Sequence, residues 1–207
     1  MKKFIFLPAL AMLIISCAPS VKESSGDGVQ ASFADSLFLK NGQQSFRISE
    51  LTADYDTATR QYKLNALSAD HRKLLTDTLF GASPYTAYYY SRHSQVGTVL
   101  PVSVLSEVTD GSPLDLFLVG ADGSVTATLR LAESTCDTQE SGGGQSSCDE
   151  RYSVFADDST VQVTAVARTT EASGKTISLD SAVSVLRITR AGTFKVLTTD
   201  TLRSRKR

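Results

Sequence analysis

The chain has 207 residues, 41% hydrophobic and 21% charged, with 13 Gly, 5 Pro, 3 Cys, no Trp and a formal net charge of −1. That composition excludes wholesale disorder, collagen-like repeats and a polytopic membrane protein. Apart from Lys2 and Lys3, 19 basic side chains face 22 acidic ones, and four of the 19 crowd into the last five residues; an acidic body argues against a nucleic-acid partner.

The first element is a leader. Lys2 and Lys3 precede Phe4–Ile15, twelve residues that are apolar except for Pro8. A membrane-spanning helix needs about 20 apolar residues, so this run suits the core of a cleaved signal peptide. Leu13-Ile14-Ile15-Ser16-Cys17 follows the pattern aliphatic, small, Cys, and it resembles the lipobox of bacterial lipoproteins. The resemblance implies removal of residues 1–16 and a lipid on the Cys17 thiol, with palmitate among its chains and the membrane as partner. Ala18, rather than Asp, after the cysteine implies the outer membrane, with the domain facing either the periplasm or the exterior. Each buried acyl CH₂ contributes about 0.8 kcal/mol, so several chains make release negligible. Residues 17–32 are small, polar and rich in Gly and Ser, which predicts a flexible tether with a reach of about 20 Å.

Residues 33–202 are expected to form a single β-rich domain. Its one helix is predicted at 69–80, where Ser68 caps, Asp70 falls in the first turn, and Gly81 and Pro84 terminate. Leu67, His71, Leu74, Leu75 and Leu79 share one face of that helix, a stripe suited to docking on a sheet; His71 is then an interface residue before it is a ligand.

Strands follow. Tyr85–Tyr90 and Val99–Val108 are strand-like, and Leu114–Val119 and Val125–Leu131 flank a Gly120–Gly123 turn. Tyr152–Phe155 and Thr160–Arg168 flank Asp157-Asp158, Lys175–Leu179 adds a short strand, and Val183–Thr189 and Phe194–Thr199 flank Arg190-Ala191-Gly192. Val and Thr enrichment with regularly spaced turns predicts a mainly β fold, an antiparallel β-sandwich or barrel-like meander. Gly192-Thr193-Phe194-Lys195-Val196 is similar to the closing strands of exported cystatin-like/NTF2-like lipoproteins, which implies an α+β alternative. The last residues, 203–207, form a basic tail, either solvated or paired with anionic headgroups at about 1 kcal/mol per base.

With Cys17 committed to lipid, Cys136 and Cys148 remain. In an exported protein such a pair reads as a disulfide, here bracketing a loop that contains Gly142-Gly143-Gly144.

Few residues carry a catalytic or ligand-binding pattern. Gly174-Lys175-Thr176 ends like a phosphate-binding loop, but Thr169 stands where the first glycine belongs. Asp54-x-Asp56 begins like a calcium loop without its turn glycine or closing glutamate. Of the two histidines, His93 follows Ser91-Arg92 in an expected loop and is the better candidate for a base. Tyr85, Tyr88 and Tyr90 are candidate binding residues, since exposed tyrosines are rigid amphipathic contacts; Tyr89 points the other way, toward the core. No metal, cofactor or catalytic residue is assigned. The sequence therefore points to a non-enzymatic envelope module that binds or scaffolds a protein or glycan, with an envelope hydrolase acting on glycan or peptide as the alternative.

Overall fold

The computed structural model describes residues 33–80, 86–107, 112–139 and 145–205. The expected signal peptide, Cys17, the tether, Tyr85 and the Gly81–Pro84 stop lie outside them. The chain first makes β1 (Ser45–Phe46), α1 (Ile48–Thr52), β2 (Tyr55–Asp56) and β3 (Gln61–Tyr62). Next come α2 (Ala69–Phe80), β4 (Ala87–Arg92), β5 (Val99–Ser106) and β6 (Leu114–Gly120). Five long strands close the chain: β7 (Val125–Gln139), β8 (Gln145–Asp157), β9 (Thr160–Thr170), β10 (Thr176–Ile188) and β11 (Phe194–Arg205).

β4 to β11 form an antiparallel meander in which every neighbour in the sheet is also the neighbour in sequence. It is mainly β, as expected, and it does not close into a barrel; the α+β alternative is not the architecture found. β7 belongs to both halves. Residues 125–132 pair with β6, and residues 133–139 pair with β8. At the handover Leu114 faces Ala132 while Asp115 faces Arg130, so Leu131 is an extra residue, a bulge that bends the strand from one half-sheet to the other. Where β7 leaves β8, β1 replaces it, setting Ser45 opposite Val154 and Phe46 opposite Ser153.

The bend folds the lower halves of β8–β11 onto β4–β7. Tyr88, Leu105, Leu116 and Leu118 from one layer meet Phe155, Val161 and Ile188 from the other in one core. The opposite face of β4–β6 is also covered: Tyr89, Val102, Val104 and Phe117 pack with Phe33, Phe38 and Leu75. Burial on both faces is why β4, β5 and β6 read as continuous apolar runs instead of alternating ones.

The helix forms where predicted. The Ser68 hydroxyl accepts the His71 N–H at 3.2 Å and the Ser68 carbonyl accepts the Arg72 N–H at 2.8 Å, which satisfies two donors of the first turn. Leu67 and Leu74 pack against the second core from the predicted stripe. The two separate strands expected around 175–189 are one, β10, running through Asp180 and Ser181 without a break. β11 also outruns its expected end: Arg203 pairs with Asp180 and Arg205 with Ser178, so the start of the expected basic tail is strand.

Candidate functional site

The structure disperses most of the residues singled out from sequence. Tyr88 and Tyr90 are buried, with 5% and 1% of their surface exposed, so they are not an exposed contact face. Tyr88 packs on Tyr62 and Tyr90 on Phe46. Burial pushes both hydroxyls up to about 12; for Tyr88 the Glu107 carboxylate, which accepts its O–H at 3.0 Å, adds to the rise. The cause is tertiary, because the residues covering β4 come from 33–62 and from α2. Tyr89 does fill the core on the other face, and its hydroxyl lies 2.6 Å from His71 Nδ1.

His93 lies in the loop after β4, as expected, but it is buried there. Its ring stacks on Phe155 at 4.3 Å between centroids and leans on Phe46. Nε2 is buried with no hydrogen-bond partner among the described residues, and burial pushes the imidazole down to about 4. A neutral ring in that setting is held as a core aromatic, out of reach of substrate. His71 is engaged at the cap of α2, stacked 4.0 Å from Phe33. Asp54 pairs with Lys40 at 3.1 Å, while Asp56 accepts the Ala58 N–H at 2.9 Å in a local turn. Gly174 sits in the β9–β10 turn, where its N–H bonds the Glu171 carbonyl. Among the described residues no group of His, Cys, Asp and Glu is arranged to hold a metal ion, and no helix is long and apolar enough to cross a membrane.

The Cys136–Cys148 disulfide is present. It differs from the expected loop staple, because the two cysteines face each other within the β7–β8 ladder, with Cα atoms 4.1 Å apart. It joins two strands where they project beyond the double-layered core.

That projecting sheet carries a feature the sequence reading missed. A concavity of about 430 Å³ spans β7 to β11 above the core. Residues directly opposite in an antiparallel ladder share a face, so the pairings define two rows across it. The lower row is Glu133, Arg151, Ala165, Ala182 and Thr201; the upper is Thr135, Asp149, Ala167, Asp180 and Arg203. The face that is Val161 and Val163 in the core continues along β9 as Ala165 and Ala167. The shrinkage from valine to alanine makes the floor, and longer side chains on β8 and β11 make the walls. The signal available beforehand was this run of small residues at every second position of β9.

Two ion pairs through Arg130 tie the rim of the trough to the core. Arg130 donates through Nε to Asp115 and through Nη1 to Glu133, both at 2.6 Å. Asp115 is buried, which pushes its carboxyl up while the Arg130 guanidinium pulls it back down. Glu133, at the rim, is thereby fixed from below. The site thus offers a small-residue trough bounded by carboxylates and guanidiniums of both signs, an arrangement suited to holding a polar or extended ligand by charge-assisted hydrogen bonds. Comparison with protein-family models, with curated proteins and with solved structures finds no match to this chain.

Proposed function

We propose that this chain is a lipid-anchored protein of the bacterial envelope, held at the outer membrane through Cys17, that binds or scaffolds an envelope protein or glycan without catalysing a reaction. The anchor rests on the leader and lipobox pattern of residues 1–17. The binding role rests on one observation, the small-residue trough on a sheet that extends past its own core and is stapled by Cys136–Cys148. Long strands with polar residues on both faces add little core of their own. A covalent cross-link holds their shape, which lowers the ordering cost of binding.

The experiment has two arms. Cells expressing the chain or its Cys17→Ser variant are fed labelled palmitate; label on the first and not the second supports the anchor, and equal labelling overturns it. A photo-cross-linking residue is then placed at Ala167 in the trough or at Leu39, an exposed control. An adduct specific to Ala167, with a protein or with glycan fragments, supports the binding face; the same adducts from both positions, or none from either, overturn it.

A further inference from the structure

The two outer edges of the meander are treated differently by the fold. Along β4 the outer edge is occupied: Lys40 and Gly42 donate N–H groups to the Tyr90 and Arg92 carbonyls, Leu67 donates to Ala87, and Tyr89 donates to Asn65. Along β11, twelve residues long, the described residues supply no partner on the side away from β10. An open edge of that length is a template for another strand, and proteins ordinarily blunt it. Here the bulge at Leu197, opposite Val185/Leu186, blunts only the lower end.

Among the described residues, four of the six exposed large apolar side chains lie beside the same edge. Val196, Leu197 and Leu202 lie on β11 and Leu179 on β10, with Leu202 exposed to 69%. Leu202 faces Ser181 and Leu179 faces Ser204, so the two leucines are diagonal neighbours on one face.

We propose that two copies of this chain pair antiparallel along β11, with Leu202 on the two-fold axis. A closed isologous contact requires each patch to complement itself, and the charges select this register. With Leu202 facing Leu202 of the second copy, Thr201 faces Arg203, Asp200 faces Ser204 and Thr199 faces Arg205. No like charges oppose one another. An axis at Asp200 opposes two aspartates, one at Arg203 opposes two arginines, and one at Thr201 sets each Leu202 against an aspartate. In the chosen register Leu179 and Leu202 of both copies share one face around the axis, covering the most exposed leucine of the strand. The paired segment begins above the Leu197 bulge, which therefore does not interrupt it. The pairing leaves the trough on the same face of both copies and is independent of what the trough binds.

The test uses the full-length chain expressed in bacterial cells. Opposed residues in an antiparallel pair have Cα atoms about 4.5–5.5 Å apart, within the range a disulfide spans. Leu202→Cys is expected to give a disulfide-linked dimer on a non-reducing gel. Thr198→Cys, four residues from the axis and so about eight residues from its own copy, is expected to stay at the wild-type background. Equal dimer from both variants, or none from either, overturns the proposal. Sedimentation of the detergent-extracted protein gives an independent readout: the wild type should carry twice the chain mass, and Leu202→Lys, an exposed substitution, should carry one. A single-chain mass for the wild type also overturns the proposal.

Discussion

Lowering the pH from 7 to 4 protonates His93 in the unfolded chain well before it does so in the folded one. The ordinary imidazole value is 6.5 and the buried ring is held down to about 4 by loss of solvent, against a small opposing pull from Asp158. A group whose folded value is depressed contributes stability that is fully present above its unfolded value and is lost as the pH falls toward its folded value. The window is therefore about pH 6.5 down to about 4, with no further loss from this residue below that. At about 1.4 kcal/mol per unit, the gap corresponds to about 3 kcal/mol, a large fraction of the 5–15 kcal/mol that typically holds a domain together. His93→Phe keeps an aromatic ring against Phe155 and Phe46 while removing both the titration and the buried Nε2. Near pH 7 the variant should fall within about 1.5 kcal/mol of the wild type, as volume-conserving core swaps do. Urea unfolding of both proteins at several values between pH 7 and 4 cancels the carboxylates and His71, which titrate in both. The difference should move by about 3 kcal/mol in favour of His93→Phe. A difference that stays flat across the window would refute the buried, neutral assignment of His93.

Three further outcomes are expected. Arg130→Met strands the Asp115 carboxylate, whose side chain is 4% exposed, and should cost about 3 kcal/mol in urea unfolding; adding Asp115→Asn should recover much of it, and a strictly additive double variant would contradict the pairing. Replacing Cys136 and Cys148 by serine reopens a separation of 12 residues and should cost about 3 kcal/mol or less by loop-closure entropy, read as a lowered denaturant midpoint under non-reducing conditions. Gly192 and Gly174 both have positive φ, but a Cβ at Gly192 would lie 2.5 Å from Thr126 Oγ1 and 2.6 Å from Val99 Cγ1, whereas Gly174 has open space. Gly174→Ala should therefore cost only the left-handed conformation, about 1 kcal/mol, and Gly192→Ala about 1–3 kcal/mol more from overpacking; equal melting temperatures for the two variants would contradict this.

Local chemistry determined a good part of this protein without help. Gly123 and Gly192 mark tight turns between period-2 runs, and both turns form with positive φ. Ser68 followed by an apolar stripe specified α2, and Cys136 and Cys148, the two cysteines outside the leader pattern, specified their own pairing. These readings succeed because each depends on residues within a turn or two of one another. The segments they missed lack that property. Residues 45–62 make two-residue strands and a five-residue helix with no period long enough to read. Asp180-Ser181 reads as a break because polar residues in a strand signal an end, unless, as in the projecting half of β10, neither face meets a core.

The candidate site was less legible than the fold. Tyr88 and Tyr90 alternate as an exposed edge would, and only the arrival of Phe46 and Tyr62 from far away in sequence buries them. His93 follows a strand end and becomes a core residue only when β8 brings Phe155 over it. The trough needs five strands in register before Ala165, Ala167 and Ala182 become one floor. Sequence alone located the strands of the meander, though not all their ends, together with its tight turns, α2 and the disulfide, because backbone preference and hydrophobic period are local. Which faces are buried, which histidine is silenced and where the proposed partner sits were decided by the segments laid over β4–β6 and by the bend at Leu131, where one strand passes from the first half-sheet to the second.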